Sequence, residues 1–129
     1  MPYTADDHAW PVCVDKMSGV ATDEDVEAYN AQRLARLRRG EVHVQVIDGS
    51  RGASMNAAQR ARLAEFNAEH REAQRRLVAG VAFIGGSPFV RTVLRTVYAL
   101  HPPAYPHATF DAREPAIRWA VEQLAKRAV

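Results

Sequence analysis

Between Gly40 and Val78 the chain changes its hydrophobic period once, and that change limits what it can fold into. Glu41-Val42-His43-Val44-Gln45-Val46-Ile47 sets apolar residues at every second position, which reads as a strand. Asp48-Gly49-Ser50-Arg51-Gly52 breaks the alternation with turn residues. From Asn56 to Val78 a 3.6-residue period takes over, with Leu63, Phe66, Ala73 and Leu77 as its buried stripe and His70 among them. Strand, Gly-rich turn and helix form one half of a crossover between parallel strands.

The remaining segments repeat that pattern. Residues 2–9 allow a short first strand or a frayed arm. Pro11 then opens Val12-Cys13-Val14-Asp15-Lys16-Met17, a strand ended by Ser18-Gly19. Thr22, followed by Asp23, Glu24 and Asp25, starts a helix with acids against the positive end of its dipole. Val26, Tyr29, Leu34 and Leu37 share one face of it, and Gly40 ends it after Arg36, Arg38 and Arg39. Gly80 is expected to close the long central helix before the apolar strand Val81-Ala82-Phe83-Ile84.

After Gly85-Gly86-Ser87, Pro88 takes a first helical position, and a helix runs through Leu100. His101-Pro102-Pro103-Ala104-Tyr105-Pro106 is too rich in proline for helix or central strand. His107-Ala108-Thr109-Phe110 is the last strand. Asp111, with Glu114, caps a terminal helix in which Ile117, Ala120, Val121 and Leu124 face inward. Four or five strands interleaved with four helices predict one α/β domain over residues 1–129, its sheet mostly parallel. Val42 to Ile47 and Val81 to Ile84 are expected as adjacent, parallel, central strands.

Composition closes off several classes. With 129 residues, 47% of them hydrophobic and 25% charged, the chain matches ordinary globular proteins. It has no run of about 18 apolar residues. Its start has neither the basic nor the apolar region of a signal peptide, so the expected location is cytoplasmic. One cysteine, Cys13, allows no internal disulfide and neither common zinc spacing; it reads as a small core residue. The net charge of +2 gives no case for nucleic acid, and fifteen arginines against two lysines read as solvated helix faces. No metal and no cofactor are expected.

Ligands of open parallel sheets settle at the carboxyl ends of the strands. Those ends place Asp48, Ser50, Arg51, Ser54, Gly85, Gly86 and Ser87 as candidate partner- or ligand-binding residues. There is no GxGxxG and no lysine-bearing phosphate loop. A serine-hydrolase elbow is not met either, since Asp48 stands where its first glycine would be. Ser50 and Ser54 are candidate phosphorylation sites, because a dianion near a helix N-terminus and Arg51 is physically acceptable. Arg62 and Trp119 are candidate interface residues: Trp119 lies nearly opposite the inward stripe of the last helix. Tyr105 is a weaker case of an exposed aromatic.

Four stretches carry a resemblance. Arg38-Arg39-Gly40-Glu41 leading into Val44-Gln45-Val46-Ile47-Asp48, then Asn56-Ala57-Ala58-Gln59-Arg60, then Gly80 to Ile84, then Pro103 to Phe110, follow one another as landmarks of a known family. From about Trp10 to Leu124 the chain resembles the small bacterial STAS-domain-like proteins, which are SpoIIAA-like, that is, anti-sigma-factor-antagonist-like. The resemblance implies a mixed sheet whose first strand is antiparallel, with helices largely to one side. It implies a non-enzymatic module that docks to a regulatory protein, sometimes switched by serine phosphorylation after the Asp-bearing strand. That switch motif reads Asp-Ser-Ser-Gly; here only Ser50 or Ser54 can stand in, so the site region is carried over and the switch is not. The alternative is a sensor binding a small molecule, lipid or nucleotide above Gly85-Gly86-Ser87. A monomer or weak homodimer is expected, with Trp119 in any dimer contact.

Overall fold

The computed structural model describes residues 3–85, 91 and 93–127. Its main sheet has five strands in the order β1-β2-β4-β6-β7: β1 (Tyr3–Asp6), β2 (Val12–Met17), β4 (His43–Asp48), β6 (Val78–Ile84) and β7 (His107–Phe110). β1 runs antiparallel to β2, and every other neighbouring pair is parallel. The first strand, only weakly marked in the sequence, is therefore a true edge strand. β4 and β6 are the expected parallel neighbours, with Val46 opposite Ala82 and Ile47 opposite Phe83. A second, two-stranded parallel ladder joins β3 (Gly19–Val20) to β5 (Ala53–Ser54). Nothing in the hydrophobic period announced that ladder, since two residues are too short to show one.

Helices cover both faces unequally. α1 (Asp23–Arg38), α2 (Ala57–Glu69), α3 (Arg71–Leu77) and a π-helical turn (Val93–Val97) leading into α4 (Tyr98–Leu100) lie on one side. The C-terminal helix α5 (Arg113–Arg127) packs on the other, against Val14, Val44, Val46, Ala79, Ala82 and Ile84. β6 is buried at all seven positions and alternates between the two cores: Val81 and Phe83 face α1 and α2, Ala82 and Ile84 face α5. Two reciprocal caps fix the helix starts. Thr22 accepts from the Asp25 amide while Asp25 accepts from the Thr22 amide, and Asn56 and Gln59 do the same for α2.

The structure corrects several sequence expectations. The long helix expected from Asn56 to Val78 breaks at His70, whose ring turns onto Phe66 at 4.4 Å, and α3 restarts at Arg71. Val78 to Gly80 belong to β6, so Gly80 does not end a helix. Its role is close approach: a Cβ there would lie 3.1 Å from the Trp119 ring and from Gln123 Cγ. α5 starts at Arg113, so Ala112, not Asp111, immediately precedes it. In α5 the inward line runs through Ala116 and Ala120, small residues that let the helix sit low on the sheet, and Val121 is turned out at 46% exposure. Tyr105 is buried, its hydroxyl 2.7 Å from that of Tyr98. Arg33 and Arg36 are buried, not solvated, at 7% and 2% exposure. The Ser87-Pro88 helix start lies outside the described residues.

Candidate functional site

The carboxyl ends of the parallel strands finish level with one another. Lys16 is opposite Asp48, Asp48 opposite Ile84, and Ile84 opposite Phe110. The loops that leave this edge are tied together through their backbones. Gly49 N donates to Ile84 O at 3.2 Å, Gly85 N to Phe110 O at 2.8 Å and Gly19 N to Gly52 O at 2.9 Å. Ala21 N donates to Ser54 O, and Gln59 reaches back to Ala21 O, each at 2.9 Å. The β3–β5 ladder thus clamps the loop after β4 from one side while the β6 loop supports it from the other.

Asp48 organises that loop. Its Oδ1 accepts from the Ser50 amide at 3.0 Å and from the Ser50 hydroxyl at 2.6 Å, so the side chain closes its own turn. Burial pushes its pKa up, but the Ser50 hydroxyl and amide, then Lys16 and Arg113, outweigh it and hold the carboxyl below its ordinary value. Gly85 has φ +89°, and a Cβ on it would stand 2.9 Å from Ser50 Cα. Both facts demand glycine there. Ser50 itself stays exposed on this support.

Thr4, Lys16, Ser18, Asp48, Ser50 and Arg51 line the resulting cleft, of about 420 Å³. It presents two cations, one carboxylate and three hydroxyls. A second cleft, of about 610 Å³, runs from Gly85 past Arg91 and Leu94 to Phe110 and Asp111. Of the sequence candidates, Asp48, Ser50, Arg51 and Gly85 come together at this edge. Ser54 is exposed on β5, beyond the cleft lining. Gly86 and Ser87 lie outside the described residues. Arg62 sits on the outer face of α2, bound to Glu27 of α1 at 2.9 Å and to Glu65 at 2.8 Å. Trp119 is on the opposite face of the sheet, half-buried, its ring 5.9 Å from that of Phe110. Lys16 was not singled out from the sequence, where only Ser18-Gly19 marked the end of its strand; the register that brings Lys16 to Asp48 is invisible in a linear pattern.

Sequence reasoning also missed a buried polar cluster between α1 and the sheet. Arg36 donates to both oxygens of Asp15 at 2.8 and 3.0 Å and to Asp7 at 2.7 Å. Asp15 also accepts from Tyr3 at 2.8 Å and from Gln45 at 2.7 Å, and Gln45 reaches the Tyr29 hydroxyl. Burial, then the Asp15 charge, pushes the Tyr3 hydroxyl pKa far up. Burial pushes the Cys13 thiol up to about 12, which makes it an inert core group. One signal was available: Asp15 falls between the apolar Cys13 and Met17 on one alternating face of β2.

No model of a known protein family matches the chain, and no curated protein does. Solved structures do. The chain is similar to an uncharacterised protein with a SpoIIAA-like fold from Shewanella loihica PV-4, at 18% identity and a TM-score of 0.62, over 84% of this chain and 83% of that one. It is also similar to an anti-sigma factor antagonist from Mycobacterium paratuberculosis, at 16% identity and a TM-score of 0.54, over 92% of each chain. At such identities a likeness speaks for the fold alone, and the antiparallel first strand, the parallel remainder and the helices gathered largely on one face agree with it: this chain has the SpoIIAA-like fold.

Proposed function

We propose that this chain is a non-enzymatic regulatory module that docks to a partner protein through the cleft at the carboxyl ends of β2 and β4. The observation that carries the reading is the mounting of Ser50. An exposed hydroxyl is held on Asp48 above Gly85, in a loop tied on both sides, with Lys16 and Arg51 flanking it. A rigid, polar, mixed-charge surface suits recognition, since little ordering entropy is lost on docking. The similarity to an anti-sigma factor antagonist supports the same reading. Ser50 is a better-placed phosphorylation site than Ser54. A phosphate there would replace its hydrogen bond to Asp48 by repulsion and open the turn, while Lys16 and Arg51 offer the new charge partners.

Affinity capture with the full chain from the source organism tests this. A specific partner should be captured by the wild type and lost with Ser50→Asp, which mimics the charge. Arg62→Glu reads whether the surface extends onto the outer face of α2. Capture unaffected by Ser50→Asp moves the docking surface away from this cleft. A second reading, a small-molecule sensor, rests on the second cleft, whose volume of about 610 Å³ is of ligand-pocket size. Thermal shift against nucleotides, acidic metabolites and fatty acids tests it; a flat response throughout removes it.

A further inference from the structure

α2 ends at Glu69 and α3 begins at Arg71, and across that break two side-chain amides meet. Asn67 and Gln74 are only 7% and 4% exposed. Gln74 Nε2 donates to Asn67 Oδ1 at 3.2 Å, and Arg33 Nη1 donates to the same oxygen at 2.8 Å. Two carboxamides can close a ring of two hydrogen bonds, each donating to the other. Here the ring is open: among the described residues nothing bonds to Asn67 Nδ2 or to Gln74 Oε1. Neither atom is sealed; the sealed and unpartnered side-chain atoms are Arg33 Nε and Asn30 Nδ2. Asn67 Nδ2 and Gln74 Oε1 are therefore reached from outside, although their side chains are almost wholly buried.

The way in is a cleft of about 310 Å³ that both residues line, at the lower end of ligand-pocket size. Its walls are Ala68 of α2 and Pro102, Pro103 and Ala104 of the proline-rich connection. Arg71 stands at the rim and donates to Pro102 O, which ties the connection to α3. We infer that this cleft binds a small planar carboxamide. Such a group accepts through its carbonyl and donates through its nitrogen, so it answers Asn67 Nδ2 and Gln74 Oε1 together. Arg33 and Gln74 both donate to Asn67 Oδ1, which polarises that amide and strengthens its Nδ2–H as a donor. A flat body beyond the carboxamide lies along the prolines. A carboxylate only accepts, and would set a charged oxygen against Gln74 Oε1. An ammonium only donates, and would meet Arg71 with no carboxylate among the described lining residues to hold it. This cleft shares no lining residue with the strand-end cleft at Ser50 or with the second cleft at Gly85, so it stands or falls apart from both.

Proton–nitrogen spectra of the full chain test it, read at the side-chain amide signals of Asn67 and Gln74. Benzamide is the probe. Acetophenone matches its size and accepts without donating, and benzoate accepts with a charge. Benzamide should shift both signals saturably, with acetophenone and benzoate at least ten-fold weaker. Asn67→Asp keeps an oxygen for Arg33 and Gln74 and deletes only the Nδ2 donor. It should weaken benzamide binding by roughly ten-fold or more, read at Gln74. Ala68 is exposed on α2, so Ala68→Trp fills the cleft without touching the core and should abolish the shifts. The inference is overturned by unmoved signals with benzamide, by equal binding of acetophenone, or by shifts that persist in Ala68→Trp. Benzoate binding as tightly as benzamide overturns it as well, since the site would then be an anion site at Arg71. So does Asn67→Asp with unchanged affinity.

Discussion

Arg36 and Asp15 meet as a doubly bonded ion pair sealed from water, with N–O distances of 2.8 and 3.0 Å and side chains 2% and 0% exposed. The pair ties α1 to β2, and Asp7 extends it to the segment between β1 and β2. Two desolvated charges do not by themselves stabilise a fold, because their attraction must first offset lost hydration. Removing one partner is a different matter. Arg36→Met strands Asp15 in the core and should lower unfolding free energy by about 3–5 kcal/mol. The urea midpoint is the measurement, and a loss below about 1 kcal/mol would show that the cluster is not as dry as its geometry. Adding Asp15→Leu to Arg36→Met should recover much of the loss, since the stranded charge is then gone.

Acid should act on the same cluster. Burial raises the Asp7 pKa, but the hydrogen bonds and charge of Arg36 win and hold it below the ordinary value. A carboxyl depressed in the folded state contributes stability that is present above the unfolded pKa of about 3.9 and lost as pH falls past it. Asp7→Asn should therefore flatten the stability curve on that acid limb. Urea midpoints measured across the limb decide it; parallel curves for the two proteins would refute the linkage.

His43 makes a second window. Burial is the main cause that lowers its pKa; its Nδ1 lies 3.0 Å from Glu41 O and its ring 5.1 Å from Trp10. The neutral ring is favoured in the folded state, so its contribution is full above about pH 6.5 and declines as pH falls below that toward the folded value. His43→Gln should remove this slope while leaving the acid limb of Asp7 intact. Equal slopes between about pH 7 and about pH 5 in both proteins would exclude His43 as its source.

The elements that were legible in the sequence are those whose period is long enough to show. β2 and β7 stand where alternation or apolar runs put them, and the helix starts fall at Thr22 and Asn56 as expected. Failures come where a tertiary neighbour overrides a local signal. Gly80 reads as a helix end because glycine so often is one; it is a strand residue because Trp119 and Gln123 approach it. Arg36 reads as a cation favouring a helix C-terminus, and it does lie there, but it is turned inward by Asp15, twenty-one residues away in sequence. For the candidate site, Asp48 and Ser50 were legible as turn chemistry. Lys16 joined them only through sheet register, which no single segment encodes.

Gly85 gives a sharp test of the loop that carries Ser50. With φ +89° and Ser50 Cα 2.9 Å from where a Cβ would stand, Gly85→Ala strains the backbone and pushes the two loops apart. The expected loss is about 1–3 kcal/mol. Amide shifts should change from Gly49 to Gly52 more than anywhere on α5. A variant as stable as the wild type would mean that the two loops separate freely and that Ser50 is not rigidly mounted.

The last prediction concerns the other face, where Trp119 was expected to offer an interface and is half-buried against Phe110 and β6. Gly80→Ala puts a methyl group 3.1 Å from the Trp119 ring and from Gln123 Cγ. Two effects oppose each other. Replacing a strand glycine recovers about 0.5–1 kcal/mol of unfolded-state entropy, and overpacking costs about 1–3 kcal/mol. Overpacking should win, because α5 is anchored by the buried Ala116 and Ala120 and cannot rise without opening that core. Trp119→Leu alone should also destabilise, by removing ring contacts that cover Gly80. In the double variant the methyl group gains room, so Gly80→Ala should cost about 1 kcal/mol less beside Leu than beside the indole. A cycle of four urea titrations measures that coupling. Equal costs in both backgrounds would mean that Gln123, not Trp119, sets the space above Gly80, and the indole would then be free to serve an interface after all.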